Sequence, residues 1–164
     1  MAARGKAEHG AHNMSGGHYK RLAAMSVLSF MAMYILMYAM VDSFDNVYNS
    51  VNQVYMAGLM ASPMILIELW LMRAMYANKR LNLVLAFGAA LLGVFCWTGI
   101  RQQTLVGDRQ FLRSMIPHHG GAILMCGEAA LQHPDVRALC GPIISSQTKE
   151  IAIMQGLLER EDIR

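Results

Sequence analysis

Three long stretches of this chain carry almost no charge, and they leave few ways for it to fold. Leu22–Met40 and Leu81–Ile100 have no charged side chain at all, and Val54–Tyr76 is interrupted only by Glu68 and Arg73. A helix of about 20 apolar residues crosses a bilayer, since inside lipid every backbone N–H and C=O has to be satisfied within the segment itself. The runs therefore predict three transmembrane helices, at 22–40, 54–76 and 81–100. In a chain of 164 residues they leave a short tail at 1–21, loops at 41–53 and 77–80, and a C-terminal segment at 101–164. A large soluble enzyme is excluded. There is also no Gly-rich phosphate loop and no G-x-S-x-G nucleophile turn.

Charge sets the expected topology. Arg4, Lys6, Lys20 and Arg21 precede the first run, and Lys79 and Arg80 follow the second, whereas the 41–53 loop holds Asp42 and Asp45 and no basic side chain. Basic loops stay in the cytoplasm, so the N-terminus and the 77–80 turn are expected inside, with the first loop and the 101–164 segment outside. The apolar core of the first run exceeds the roughly 7–15 residues usual for a signal peptide, and no A-x-A site follows it, so it reads as a retained anchor. Trp97, Trp70 and Tyr76 suit interfacial belts. The 101–164 segment carries as many acidic as basic side chains, which leaves no basic patch for nucleic acid.

After Ile100 the pattern turns amphipathic. Asp108 is placed to cap a helix with Phe111, Leu112, Met115, Ile116, Ile123 and Leu124 on its apolar side. Gln132-His133-Pro134-Asp135 reads as a turn, and a second helix runs to about Arg160. The expected fold is thus an all-α membrane protein: three spans followed by an extracytoplasmic αα-hairpin. Pro117 removes an amide donor just before His118-His119 and is expected to bend the helix. Gly120 and Gly121 then allow another backbone or an ion to come close. Pairing around a turn near residue 133 sets His119 opposite Gln147, Met115 opposite Ile151, Leu112 opposite Met154 and Cys126 opposite Cys140. Those two cysteines read as packed thiols, an interhelical disulfide or metal ligands. Thioether and imidazole donors with few carboxylates favour Cu(I), while methionine at helical spacing also reads simply as core filler.

The run Asp108-x-x-Phe111-Leu112-x-x-Met115-Ile116-Pro117-His118-His119-x-x-Ala122-Ile123-x-Met125, with Ile143-Ile144-x-x-Gln147-x-x-Glu150-Ile151-x-x-Met154 after it, resembles the bacterial domain-of-unknown-function family 305. The resemblance covers residues 108–158. It implies a ferritin-like helical module associated with copper binding and copper tolerance outside the cytoplasm, here in a bacterial inner (plasma) membrane. It further implies Met115, His118, His119, Met125 and Met154 as copper-contacting positions, with Gln147 and Glu150 in support. Many relatives carry two such hairpins in a four-helix bundle and this chain carries one. A hairpin alone buries little core, so a homo-oligomer is expected, with a complete site across a symmetry axis.

Ten of the 15 methionines lie between Met25 and Met75. Ser26, Phe30, Met33, Met37 and Met40 follow a 4-3-4-3 spacing, one helical face, and Met56, Met60, Met64, Glu68 and Met72 recur at every fourth position. Met33, Met37, Met40, Met56, Met60, Met64 and Glu68 form a candidate membrane relay for Cu(I), against the plainer reading that methionine packs well in lipid. Three spans with M-x-x-x-M in the second also bear a weak resemblance to Ctr-type copper transporters, in the opposite orientation. Glu68 is an intramembrane acid and so a functional candidate, or a structural one. The Gly- and His-rich tail with His9, His12 and His18 is expected to be disordered and to bind Cu(II), Zn or Ni loosely, or none. No histidine lies within a span and no Glu-x-x-His occurs in the hairpin, which argues against transmembrane bis-His haem and a di-iron carboxylate site. The leading expectation is a membrane-anchored Cu(I)-binding protein without enzymatic activity. A copper permeation subunit and a metal-free membrane interaction module are the alternatives.

Overall fold

The structure, a computed structural model, describes residues 2–162, with side chains described from Gly17 onward. Among these residues it is helical with no strand: α1 (Ala2–Leu36), α2 (Val51–Leu71), α3 (Lys79–Gln102), α4 (Asp108–Glu128) and α5 (Pro134–Leu158), with 3-10 turns at Met37–Met40 and Phe44–Asn46. Three stretches are long and apolar enough to cross a membrane: Gly17–Met40, Val51–Leu71 and Lys79–Gln102. Large apolar side chains such as Leu28, Trp70 and Leu83 stand exposed along them, more apolar surface than a water-soluble monomer presents.

Several boundaries differ from expectation. α1 starts at Ala2, where the Gly/His-rich composition predicted a disordered tail; a helix nucleated in an apolar segment propagates outward at little further cost. The His9 and His12 side chains lie outside the described ones. Past Leu36 the chain tightens into a 3-10 turn, so the 4-3-4-3 face does not reach Met37 and Met40 in α-helical geometry. The second apolar run ends as helix at Leu71 rather than at residue 76. There the Tyr76 hydroxyl donates to Glu68 Oε1 at 3.2 Å, which turns the chain back on itself.

The chain divides into two compact units. The first consists of Met1–Tyr34 and Tyr55–Arg101. In it α2 meets α3 through small residues. A Cβ added at Gly58 would stand 2.7 Å from Cys96 Sγ, and one at Gly93 would stand 2.6 Å from Ser62 Oγ. Such close approach of small residues is how helices associate in lipid, where apolar surface alone supplies no driving force between them. Elsewhere in this unit Leu22, Leu69 and Tyr76 form a buried cluster with Tyr19 packed on it. The Tyr19 hydroxyl donates to Asn82 Oδ1 at 2.6 Å, and Asn82 Nδ2 donates to the Tyr76 carbonyl at 2.8 Å.

The second unit is Ile35–Val54 with Gln102–Arg164. Its α4 and α5 run antiparallel. Arg109 near the start of α4 donates to the carbonyl of Leu158 at the end of α5 at 3.1 Å, and Cys126 is bridged to Cys140 at the other end. Leu112, Ile116, Ile151, Met154 and Leu158 form the core between them, with Tyr48 packed against it. The 41–53 segment covers another side. Gln110 Oε1 accepts from the Val51 amide at 3.0 Å, Asn52 Nδ2 donates to Ser114 Oγ at 3.2 Å, and Gln155 Nε2 donates to Asn46 Oδ1 at 3.2 Å. Two end details correct the reading. Gly107, not Asp108, is the N-cap of α4, with Asp108 in the first turn where its charge suits the helix dipole. α5 starts at Pro134, capped by His133, whose ring accepts from the Asp135 amide.

Ile116 is wholly shielded in this core. Ile116→Ala is expected to cost about 2–5 kcal/mol through lost burial and the cavity left behind. Amide hydrogen exchange on the full chain should then speed up in α4 and α5 together; a change confined to one turn would show that the two helices do not share a core.

Candidate metal centre

The sides of α4 are sorted by its own periodicity. Leu112, Ile116, His119 and Ile123 repeat at 4, 3 and 4, a spacing that keeps them on one stripe. His119, Leu112 and Ile116 are buried, and Ile123 packs on the core. Gly120 and Gly121 fall on another side, where a Cβ on Gly120 would run into the Asp42 carboxylate and one on Gly121 would lie 3.3 Å from the Met40 carbonyl oxygen. The glycines thus admit a neighbouring backbone, one of the two alternatives they raised. Asp42 is held in turn by Asn46 Nδ2, which donates to its Oδ1 at 2.8 Å. A third side, with Phe111, His118 and Met125 at intervals of seven, is exposed.

At the edge of that third side lies a shallow cleft of about 200 Å³ lined by Phe111, Met115, His119, Glu150, Ile153 and Met154. His119 is 6% exposed and both its ring nitrogens are engaged. Nδ1 lies 2.9 Å from the Met115 carbonyl oxygen, and Nε2 lies 2.7 Å from Glu150 Oε2. Both neighbours are acceptors, so each ring nitrogen faces an oxygen to which an N–H can be given. An imidazole whose Nδ1–H is given to a backbone carbonyl presents Nε2 outward in a fixed orientation, the usual preparation of a metal-ligating histidine. Glu150 is half exposed and free to swing aside.

Of the five positions expected to contact metal, the structure brings Met115, His119 and Met154 to one cleft. His118 and Met125 do not line it. His118 is exposed, its ring centroid 6.3 Å from that of His119, and Met125 is 55% exposed. Adjacent residues on a helix diverge by about 100°, so the His pair cannot aim both rings into one cleft. Of the two positions expected in support, Glu150 meets His119. Ile153 was missed, its only signal being its place beside Met154. Cys126 and Cys140 form a disulfide, Cα atoms 5.2 Å apart, and are therefore neither free thiols nor ligands.

The expected membrane relay is not gathered by the packing of α2. Its buried residues are Tyr55, Ala57, Gly58, Ala61, Ser62 and Leu69, while Met56 and Met60 are 40% and 44% exposed. Glu68 accepts a hydrogen bond from Tyr76, the structural role. Among the described residues no three His, Cys, Asp or Glu side chains gather into a site; the cleft is lined by the thioethers of Met115 and Met154, the His119 imidazole and the Glu150 carboxylate.

Residues 101–162 match the family described as "Domain of unknown function (DUF305)". This segment is a DUF305 domain. It contains α4 and α5, and so the whole cleft around His119. The chain is also similar to "Uncharacterized protein L153" of Acanthamoeba polyphaga mimivirus, at 29% identity over 143 residues, 85% of this chain and 92% of the relative. That likeness is too long to be confined to the DUF305 domain and extends into the apolar helices. No solved structure matches.

The bridged cysteines are 14 positions apart, and for a closed loop of this size unfolded-chain entropy gives about 3 kcal/mol. Maleimide labelling of the unfolded, unreduced chain is expected to modify Cys96 alone, and labelling after reduction all three cysteines. Labelling of all three without reductant would remove the bridge.

Proposed function

We propose that this is a membrane-anchored, extracytoplasmic protein that binds Cu(I) through Met115, His119 and Met154, and sequesters or delivers the ion in copper homeostasis rather than turning over a substrate. The observation that carries the reading is the convergence of two thioethers and one pre-oriented imidazole on a single cleft. Sulfur and imidazole donors select a soft monovalent ion over hard cations. Glu150 gives up its hydrogen bond to Nε2 when the metal arrives. His118 and Met125 extend the donor row along the exposed side of α4.

The membrane is of the bacterial inner (plasma) type, with the N-terminus cytoplasmic and the DUF305 domain, as half of a ferritin-like bundle, on the far side. Three observations support that orientation. Basic residues flank the N-terminal side of the first apolar stretch and the turn after the second. The 41–53 segment and the DUF305 domain fold together in one unit, as two segments separated by two crossings would. The Cys126–Cys140 bridge belongs in an oxidising compartment.

The protein also works as a homo-oligomer. Besides Phe111, His118 and Met125 on α4, the residues Val136, Leu139 and Ile153 of α5 stand exposed. The spacing 136-139-143-146-150-153 is the 3-4 alternation of a helix-packing seam. A second copy laid on this side would complete a four-helix bundle and close the cleft. Phe111→Glu with Leu139→Glu is expected to convert the oligomer to a monomer in detergent, read as mass by light scattering; an unchanged mass would show that the seam is not the interface.

The metal assignment is tested by anaerobic Cu(I) titration of the full-length protein. His119→Ala is expected to weaken binding at least about tenfold, since even groups that only orient a ligand are worth roughly 10–100-fold. Met115→Leu with Met154→Leu should weaken it similarly, and His118→Ala less. Affinity should fall as the pH is lowered, because a ligating imidazole has to be neutral. Binding unaffected by His119→Ala would end the assignment.

A further inference from the structure

A second cleft lies in the same unit, and none of the donor residues lines it. Its volume is about 490 Å³, and its walls are Ile35, Leu36, Tyr38, Ala39, Val41, Asp42, Ser43, Phe44 and Val47. Phe44 is 96% exposed, so no described residue covers its ring. The loop that carries it is held firmly. The Tyr38 hydroxyl donates to the Tyr48 carbonyl at 2.8 Å, Ser43 Oγ accepts from the Asp45 amide at 3.3 Å, and Asp42 is bound by Asn46.

We propose that Phe44 and this cleft form a lipid-binding anchor that takes the acyl chain of a phospholipid. The occupant follows from where the cleft is built. Ile35, Leu36 and Ala39 belong to the stretch Gly17–Met40 that is long and apolar enough to cross a membrane. They line the cleft together with Val41, Asp42, Ser43, Phe44 and Val47 of the loop, which sets Phe44 beside the end of that stretch. Residues at the end of a span border the upper acyl chains, where an exposed phenyl ring is removed from water. The neighbouring charges narrow the choice of lipid: the 41–53 loop contains Asp42 and Asp45 and no Lys or Arg, which suits a zwitterionic headgroup and repels an anionic one. The anchor would hold this loop, and through Asp42 the Gly120 side of α4, at the membrane surface.

The proposal rests on the reading of Gly17–Met40 as a span, and the experiment separates the two. Full-length Phe44→Trp in a Trp70→Phe/Trp97→Phe background is reconstituted into phosphatidylcholine vesicles, plain or brominated on the upper acyl carbons. A companion protein keeps Phe44 and retains Trp97 alone, inside a different candidate span, as the membrane reference. The indole introduced by Phe44→Trp is expected to emit at shorter wavelength than hydrated indole and to be quenched by the brominated lipid about as strongly as Trp97. Quenching of Trp97 without quenching of the introduced indole overturns the anchor, whether that indole is then open to aqueous iodide or shielded by another protein surface. If neither is quenched the membrane reading itself fails, and the anchor with it. Circular dichroism of both proteins checks that the helices are retained.

Discussion

The close approach of the Met40–Asp42 segment to Gly120 and Gly121 organises the second unit. Two helices packed together bury only one side of each, and a pair of this size has too little interior to persist alone. Here α4 gains a second buried side because two consecutive residues lack a Cβ and the inter-span loop settles against them. Gln110 and Ser114 on α4 and Gln155 on α5 then tie the loop down with hydrogen bonds. With one side of α4 given to α5 and another to the loop, a single side stays open, and that side borders the cleft holding Met115 and His119. The glycines therefore act on the donor set indirectly, by deciding which side of α4 remains uncovered.

Much of this architecture was legible in the primary structure. The three nearly uncharged runs coincide with helical stretches long and apolar enough to cross a membrane. Counting outward from the turn set Cys126 opposite Cys140 and left a disulfide as one of three readings, the one that the structure shows. What failed were features set by partners distant in sequence. The α2 end at Leu71 depends on a tyrosine returning to Glu68. The loop 41–53 gave no sign that it would cover α4, since its many polar residues read equally well as solvated. Of the five contact positions that the family resemblance implied, Met115, His119 and Met154 line one cleft, whereas His118 of the conspicuous His-His pair does not. Adjacency in sequence is divergence on a helix, and only one ring is turned inward.

The membrane helices teach a related lesson. The crowding of methionines between Met25 and Met75 drew attention as a sulfur ladder, yet the interior of the first unit is built by Gly58, Ala61 and Ser62 of α2 against Gly93 and Cys96 of α3. Lipid offers no hydrophobic reward for helix association, so contacts go to residues that let backbones approach closely. Bulky thioethers such as Met56 and Met60 are displaced to the outside by that same logic. An anchoring role for the helices needs nothing more from the methionines than compatibility with acyl chains.

The geometry around His119 bears on why a binding protein would place a carboxylate beside its imidazole. Were Nε2 left bare against Met115 and Met154, a buried acceptor would lack a partner, at a cost of about 1–3 kcal/mol. Glu150 removes that cost by pairing with the ring at 2.7 Å, and its half-exposed side chain can leave for water without disturbing the core. Under the proposed function, an incoming cation would meet a site whose polar groups are satisfied beforehand and would take the place of Glu150 at Nε2. Nδ1 stays fixed on the Met115 carbonyl throughout, so the ring need not reorient, and the residue whose carbonyl holds it also supplies one of the two sulfur donors.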